Sequence, residues 1–242
     1  MSWADRIVML VDGSATLRYY YAILLKRFEF NVMIAESAEE ALTLMQGTLP
    51  ALILTDILLP RMSALDFIKQ LKGSDRTKAV PVIALADRDD RVVKTAFNDA
   101  GCTEYLVKHG EPGHLYRTMQ AAIVPTPRES FRLNVPLKVV VGDGTAQGGA
   151  ERTEYTTTIS EGGLYLRTLF PRPKDSNTPV RIFIKDRAIK AKATVIYSRT
   201  MEGGFFREPG MGMKFIEISR EDRNFVRHFI KDQLTADIAV GL

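Results

Sequence analysis

Three charged residues stand at the ends of apolar runs in the first half of the chain. Asp12 and Asp56 each follow such a run, and Lys108 follows a third. If the runs are parallel strands, their carboxyl ends meet at one edge of a sheet, where open sheets of this kind place functional groups. Carboxylate oxygens are ligands for a hard divalent cation, and an ammonium group stabilises a transferring phosphoryl group. The spacing therefore indicates a polar cluster at one edge of a sheet.

A second group of residues suited to chemistry lies in the second half. Arg128 and Arg132 are four positions apart, so they share one side of the chain whether the segment is helical or extended. Two guanidinium groups can converge on a phosphate, and a single one also matches the O6/N7 edge of guanine. The stretch TISEGG follows at 158–163. Its serine can hydrogen-bond, and its glycines allow close approach of the backbone.

Short apolar runs alternate with longer amphipathic segments over the first half of the chain. Strands are predicted over residues 6–11, 32–35, 51–55, 80–85 and 105–107. Helices are predicted over residues 15–27, 38–46, 64–72, 92–100 and 114–123. This alternation is typical of a parallel sheet covered on both faces. We therefore predict an α/β domain over residues 1–124, with a doubly wound, five-stranded parallel sheet.

The pattern changes after Ile123, where Pro125 and Pro127 stiffen the chain and disfavour helix. We place a linker at 125–127 and a second domain at 128–242. Glycine-rich or polar breaks, Gly203–Gly204 among them, separate six predicted strands, over residues 133–141, 154–159, 163–168, 180–184, 188–197 and 212–218. Six strands at this spacing indicate a small antiparallel β-barrel. The last segment predicts a C-terminal helix with Ser219 as its N-cap.

Composition and charge narrow the class of protein. Residues 1–125 carry 14 basic and 15 acidic groups, a net charge of −1, whereas residues 126–242 carry 19 and 14, a net charge of +5. An anionic partner is therefore expected at the second half. The single cysteine, Cys102, excludes an intramolecular disulfide framework and a multi-cysteine metal site. Because the sequence lacks a signal-peptide pattern and a membrane-length apolar stretch, we expect a cytoplasmic protein with no membrane span.

Four segments of the first half together resemble the receiver domain of bacterial two-component signalling. They are LVD at 10–12, LTDILLP at 54–60, VIAL at 82–85 and YLVK at 105–108. The resemblance implies a receiver-like, flavodoxin-like fold in which Asp56 is the phosphoryl acceptor position. It also implies that Asp12 helps to hold Mg²⁺, that Lys108 grips the phosphoryl oxygens, and that Tyr105 is an aromatic switch position.

The sequence departs from the receiver pattern at two points. The second acid after the first strand is replaced by Gly13, and the hydroxyl residue ending the fourth strand by Ala86, with Asp87 next to it. Only Asp12 and Asp56 are then left as metal ligands, so we expect weak Mg²⁺ binding there at most. We predict that Asp12, Asp56 and Lys108 are the remnant of a phosphoacceptor site, in a domain that mediates dimerisation or partner docking. A working acceptor at Asp56 is the alternative.

The second half resembles the PilZ domain. That family pairs an R-x-x-x-R motif with a [D/N]-x-S-x-x-G turn on a six-stranded barrel. The corresponding segments here are RESFR at 128–132 and TISEGG at 158–163, followed by PGMGMKF at 209–215. PilZ domains are typically receptors for cyclic di-GMP, a bacterial second messenger with two guanines and two phosphates. The resemblance implies that this molecule is the ligand of the second domain.

The resemblance also implies which residues contact cyclic di-GMP. Arg128 and Arg132 would hold phosphates and guanine edges, and the turn would be lined by Thr158, Ser160, Gly162 and Gly163. Thr158 stands where the family has Asp or Asn. A good hydrogen bond lost to the ligand costs about 1–3 kcal/mol, or about one to two decades of affinity. We therefore expect weakened binding. The alternative is a barrel that binds protein only, with the arginines paired to Glu129 or Glu161.

These features predict a bacterial signalling adaptor that is not an enzyme. We expect cyclic di-GMP as ligand, an unidentified protein or a second copy of the chain as partner, and a ligand-driven change in domain orientation. One rival is a phosphorylation-responsive regulator, with Asp56 as acceptor and a barrel that binds no nucleotide. Another is a DNA-binding regulator, but no helix-turn-helix pattern favours it and we expect no nucleic-acid partner. The family resemblance suggests control of motility, surface attachment or exopolysaccharide production.

Overall fold

The computed structural model describes residues 6–200 and 208–238. They form two compact units: Ser130–Asp232 make up one, and the chain up to Glu129 with the segment from Gln233 makes up the other. The predicted break at Gly203–Gly204 lies outside the described residues. Among the helices of the described part, none is long and apolar enough to cross a membrane.

The first unit is built on a sheet of five parallel strands in the order β2-β1-β3-β4-β5, which confirms the predicted fold. Its elements are β1 (Ile7–Val11), α1 (Ala15–Arg27), β2 (Asn31–Ala35), α2 (Ala38–Gly47), β3 (Leu52–Asp56), α3 (Ala64–Gly73), β4 (Val82–Ala86), α4 (Arg91–Asp99), β5 (Glu104–Val107) and α5 (Pro112–Ile123). The strands β3 and β4 are buried along their whole length. The strand order reverses between β1 and β3, so ligand chemistry is expected where these two strands end.

Three helices of this unit begin at a serine that caps the first turn. The hydroxyls of Ser14, Ser37 and Ser63 accept hydrogen bonds from the backbone N–H three residues on. Such caps satisfy amide groups that have no partner inside the helix. They fix where each helix starts relative to the preceding strand, and Ser14 does so directly beside Asp12.

The second unit is a closed antiparallel barrel followed by a helix, of which the residues up to Asp232 belong to this unit. Its elements are β6 (Leu133–Asn134), β7 (Lys138–Val141), β8 (Arg152–Ser160), β9 (Gly163–Arg167), β10 (Asn177–Ile184), β11 (Arg187–Arg199), β12 (Gly210–Ile218) and α6 (Arg220–Thr235). Neighbouring strands follow the order β8-β7-β10-β11-β12-β9, and the pairing of β8 with β9 closes the ring of six. The predicted six-stranded barrel with a C-terminal helix is confirmed.

The first barrel strand differs from its prediction in one respect. The strand expected over residues 133–141 is broken into β6 and β7, and both pieces pair with β8. Pro136 lies in the break and has no backbone N–H to donate to a ladder. The hydroxyl and N–H of Thr156 bridge the gap by hydrogen bonds to Val135 and Leu137. The broken strand keeps its place because β8 holds both halves.

The cap of the C-terminal helix is formed as the sequence predicts. The Ser219 hydroxyl accepts from the backbone N–H of Asp222 at 3.0 Å and donates to the Asp222 carboxylate at 2.9 Å. The same carboxylate binds the guanidinium group of Arg187 at 2.7 Å. Arg187 begins β11, so this ion pair ties the first turn of α6 to the barrel.

Candidate functional site

The polar cluster at the carboxyl edge of the parallel sheet is present. Asp12 follows β1, Asp56 ends β3 and Lys108 follows β5; all three side chains are buried. The Lys108 Nζ atom lies 2.9 Å from Asp56 Oδ1. The same Asp56 oxygen accepts a hydrogen bond from the backbone N–H of Leu58 at 3.2 Å. The Asp56 carboxylate is therefore held by one charged donor, Lys108, and one backbone donor, Leu58.

Asp12 is buried, and only one of its two carboxylate oxygens has a hydrogen-bond partner among the described residues. Its Oδ1 atom accepts from the backbone N–H of Ser14 at 2.7 Å. Its Oδ2 atom is buried and has no hydrogen-bond partner among the described residues. Burial raises the pKa of Asp12, and the nearby negative charge of Asp56 raises it further, against the opposing effects of the Ser14 N–H and of Lys108. The site thus favours the protonated form of Asp12 more than water does.

Lys108 is shared between two carboxylates. Besides Asp56, it binds Asp87 Oδ1 at 3.0 Å. Burial disfavours the charged ammonium, but the hydrogen bonds to Asp56 and Asp87 outweigh it and raise the pKa of Lys108. Asp87 follows the position of the missing hydroxyl, Ala86. The Asp87 carboxylate thus forms an ion pair with Lys108, the residue that the receiver pattern assigns to binding phosphoryl oxygens.

Arg18 of α1 contacts the backbone at Gly13, the position where the second acid is missing. Arg18 Nη1 donates to the carbonyl oxygens of Asp12 at 2.7 Å and Gly13 at 3.0 Å. Arg18 also faces Glu36, 3.9 Å away. A Cβ atom at Gly13 would lie 3.2 Å from the Pro60 ring. The loop after β1 is therefore held by a guanidinium group, which sequence spacing gives no means to foresee.

The residues of this cluster do not fit a tightly held Mg²⁺ ion. Mg²⁺ requires near-octahedral oxygen coordination, and the cluster offers two carboxylates where the receiver pattern has three. One oxygen of Asp56 is already taken by Lys108 and Leu58. Within residues 6–200 and 208–238, no group of three or more His, Cys, Asp and Glu side chains is placed to hold a metal.

Tyr105 lies in β5, three residues before Lys108. Its ring is buried and packs edge-on against Phe97, with 6.2 Å between ring centroids. Its hydroxyl donates to the carbonyl oxygen of Arg88 at 3.0 Å, and burial raises the pKa of Tyr105. The segment that carries Asp87 is therefore anchored from both sides, by Tyr105 and by Lys108.

In the barrel, the serine–glycine turn joins β8 to β9. Ser160 ends β8, and its hydroxyl donates to the carbonyl oxygen of Gly163, which begins β9, at 3.1 Å. A Cβ atom at Gly163 would lie 2.1 Å from the Met213 carbonyl oxygen, whereas one at Gly162 would meet nothing within 4 Å. Gly163 is thus required by the close approach of β12, and Gly162 leaves open space beside the turn.

The remaining predicted ligand residues lie on the segment before β6 and on β8. Arg128 and Arg132 are both exposed. In the part of the chain that the structure describes, Arg132 makes no hydrogen bond or ion pair. Glu161, one of the partners considered for the arginines, binds Arg227 of α6 at 2.9 Å. Thr158 is half-buried and lies opposite Asn134 on one side and Tyr165 on the other.

Comparison with known families assigns both halves of the chain. Residues 8–120 match the response regulator receiver domain, and residues 126–232 match the PilZ domain. The chain therefore consists of a receiver domain followed by a PilZ domain.

Individual relatives cover part of the chain. Protein PilH of Pseudomonas aeruginosa is 27% identical over 116 residues, which are 48% of this chain and 96% of PilH. Histidine kinase P4 of Formosa agariphila is 31% identical over 101 residues, 42% of this chain and 7% of the kinase. Among solved structures, the chemotaxis response regulator CheY4 of Vibrio cholerae has 26% identity and a TM-score of 0.46, over 48% of this chain and 98% of CheY4. The chain thus spans a small part of the kinase and nearly all of PilH and CheY4.

Proposed function

We propose that this chain is a cytoplasmic signalling adaptor that binds cyclic di-GMP through its PilZ domain. Two features of the PilZ domain support this proposal, because both can contact an anionic guanine ligand. Arg132 is exposed and makes no hydrogen bond or ion pair with the described residues, and the Ser160–Gly163 turn has open space at Gly162. A guanidinium group can bind phosphate and the O6/N7 edge of guanine. The net charge of +5 over residues 126–242 favours the same ligand.

The receiver domain acts in this proposal without phosphorylation. Asp87 binds Lys108, Gly13 and Ala86 lack the acid and the hydroxyl, and a phosphoryl group on Asp56 would meet the charge of Asp87. Because like charges repel, the Asp87 carboxylate disfavours the phosphorylated form of Asp56. We infer that the domain serves for docking of a protein partner or of a second copy of the chain.

Signal transmission in this proposal is a change in domain orientation or in partner binding when cyclic di-GMP binds. Arg128 lies directly after the proline-containing linker at 125–127, so ligand bound there is close in sequence to both domains. A ligand shifts such an equilibrium only if it binds the two states with different affinity.

Isothermal titration calorimetry with cyclic di-GMP tests the binding step. We expect Arg132→Ala to abolish the binding heat or weaken binding by about 100-fold, since a charge-assisted bidentate contact is lost. Arg181→Ala is the matched control, because Arg181 is a partly exposed arginine of the same barrel that pairs with Glu151 at 2.7 Å. Equal affinity of the two variants would remove Arg132 from the site.

A phosphorylation-responsive regulator is the second candidate, because Asp56 and Lys108 are buried together in the arrangement a phosphoacceptor uses. The chain is incubated with acetyl phosphate and Mg²⁺ and analysed by intact mass spectrometry. We expect no stoichiometric addition of a phosphoryl group. Modification at Asp56 that is lost in Asp56→Asn would instead establish the second candidate.

A further inference from the structure

A row of paired residues crosses the outer surface of the barrel beside the serine–glycine turn. Asn134 of β6 lies opposite Thr158 of β8, and Thr158 lies opposite Tyr165 of β9. Tyr165 in turn pairs with Gly212 of β12, and Gly212 pairs with Tyr197 of β11. Directly opposed residues in antiparallel strands point to the same face. The row therefore leads from Thr158, where the family has a guanine-binding acid or amide, to two tyrosines.

The two tyrosine rings are stacked and held in place. Their centroids are 6.0 Å apart and their planes differ by 29°. Gly212 between them is required, since a Cβ atom there would lie 2.5 Å from the ring of Tyr197. The hydroxyl of Tyr165 donates to the carbonyl oxygen of Glu208 at 2.8 Å. The rings are thus positioned by the backbone.

A guanidinium group completes this surface. Arg199 Cζ lies 5.6 Å from the ring centroid of Tyr165 and 5.3 Å from that of Tyr197. Arg199 is exposed, and 37% of Tyr197 is exposed. The neighbours of Tyr165 along β9, Leu164 and Leu166, point inward and are buried. We call Tyr165, Tyr197 and Arg199 the tyrosine platform.

We propose that the tyrosine platform stacks against a guanine base of the ligand whose phosphates are held by Arg132. Nucleic-acid bases stack on aromatic rings and on guanidinium planes, and every base offers a face for this contact. A threonine at 158 is a poorer acceptor for the guanine edge, so a contact with the face of the base would supply part of the affinity. This inference rests on the proposed function and adds base-stacking residues to it.

The test is calorimetric titration of cyclic di-GMP into the full-length chain and its Tyr165→Leu and Tyr197→Leu variants. Base–aromatic stacking is strong enough that we expect about tenfold weaker binding for each. Tyr197→Phe keeps the ring and is the matched control, expected to stay within about twofold of the wild type. A wild type that gives no binding heat would refute the proposed function. A wild type that binds, with leucine variants of unchanged affinity, would refute the platform alone.

A second measurement serves if a leucine variant fails to fold. In the wild-type chain with selectively labelled tyrosine, a base stacked on the rings shifts the ring proton resonances of Tyr165 and Tyr197 upfield at saturating cyclic di-GMP. Unshifted resonances for both tyrosines, with binding seen by calorimetry, would overturn the platform. A purely structural role of the rings predicts that unshifted result.

Discussion

Asp12 and Lys108 are both buried, but the charge of Lys108 is better compensated by neighbouring groups than that of Asp12. Lys108 has two carboxylate partners within 3.0 Å, so its charge is compensated. Asp12 has one buried oxygen with no partner among the described residues and lies near the charge of Asp56. A buried polar atom without a partner costs about 1–3 kcal/mol. The receiver domain therefore retains an acid that lowers its stability at neutral pH.

Asp12→Asn is expected to raise the free energy of unfolding at pH 7 by about 1 kcal/mol, because it removes the buried charge. The folded-state pKa of Asp12 is raised above its ordinary value of 3.8. The charge penalty is thus present above the raised pKa and vanishes below the unfolded value, so the advantage of the variant should disappear as the pH falls below about 4. Urea denaturation at pH 7 and pH 3.5 measures both.

The control for this prediction is Asp75→Asn, because the Asp75 side chain is 96% exposed. An exposed ion pair contributes less than about 1 kcal/mol, so this change should leave stability nearly unaltered at both pH values. An Asp12→Asn variant less stable than the wild type at pH 7 would show that the contacts of the Asp12 carboxylate, including the Ser14 N–H, stabilise it by more than the cost of burying its charge.

In the proposed ligand site, Thr158 is the residue that we expect to limit the affinity for cyclic di-GMP. Thr158→Asn supplies an amide oxygen as acceptor for the guanine N–H edge, and we expect about tenfold tighter cyclic di-GMP binding. Thr158→Val has a similar shape without the hydroxyl and should bind more weakly than the wild type. Calorimetry on the three proteins tests this order. Identical affinities would place Thr158 outside the contact surface.

For individual residues, the sequence predicts which side chains lie at strand ends, but not every contact between them. Asp12, Asp56 and Lys108 could be grouped because parallel strands end at one edge. The pairing of Asp87 with Lys108 and the contacts of Arg18 could not, because they depend on loop conformation and on side-chain rotamers. Tyr165 and Tyr197 were missed as well. Their meeting depends on the register of three strands, although the glycine at 212 was a signal that something packs closely there.

The turn between β8 and β9 is the element on which the proposed site depends. Gly163→Ala places a Cβ atom 2.1 Å from the Met213 carbonyl oxygen, so β9 must move away from β12. We expect a loss of about 3 kcal/mol in unfolding free energy and weaker cyclic di-GMP binding. Thermal or urea denaturation of the full chain measures the first effect.

The neighbouring glycine provides the matched control. Gly162→Ala adds the same methyl group one position earlier, where nothing lies within 4 Å, and stability should change by less than about 1 kcal/mol. If both variants lost stability equally, the requirement for glycine would lie in the turn conformation and not in the approach of β12.

The elements themselves were largely predictable because alternation and helical spacing reflect burial directly. The broken first barrel strand was the exception. The apolar pattern runs through both β6 and β7, and both pieces pair with β8, so periodicity does not reveal the break. Pro136 was the local signal, since proline inside a run indicates an edge or an interruption.

For the whole molecule, the charge difference between the halves agrees with the proposal that the anionic ligand binds the second half. Residues 126–242, which contain the proposed ligand site, carry a net charge of +5, whereas residues 1–125 carry a net charge of −1. If ligand binding changes domain orientation, small-angle X-ray scattering of the full chain should show a change in the radius of gyration at saturating cyclic di-GMP. The Arg132→Ala variant should show none. An unchanged scattering curve of the saturated wild type would leave partner binding as the means of signal transmission.

The most direct test of the account is a calorimetric titration of cyclic di-GMP into the wild-type chain without Mg²⁺ and without a phosphodonor. We expect saturable binding under these conditions, because the proposed contacts with Arg132 and the Ser160–Gly163 turn involve neither a metal nor a phosphorylated Asp56. Absence of binding heat at high micromolar ligand would contradict it. Binding that appears only after acetyl phosphate and Mg²⁺ are added would contradict it equally, and would make the receiver domain the input.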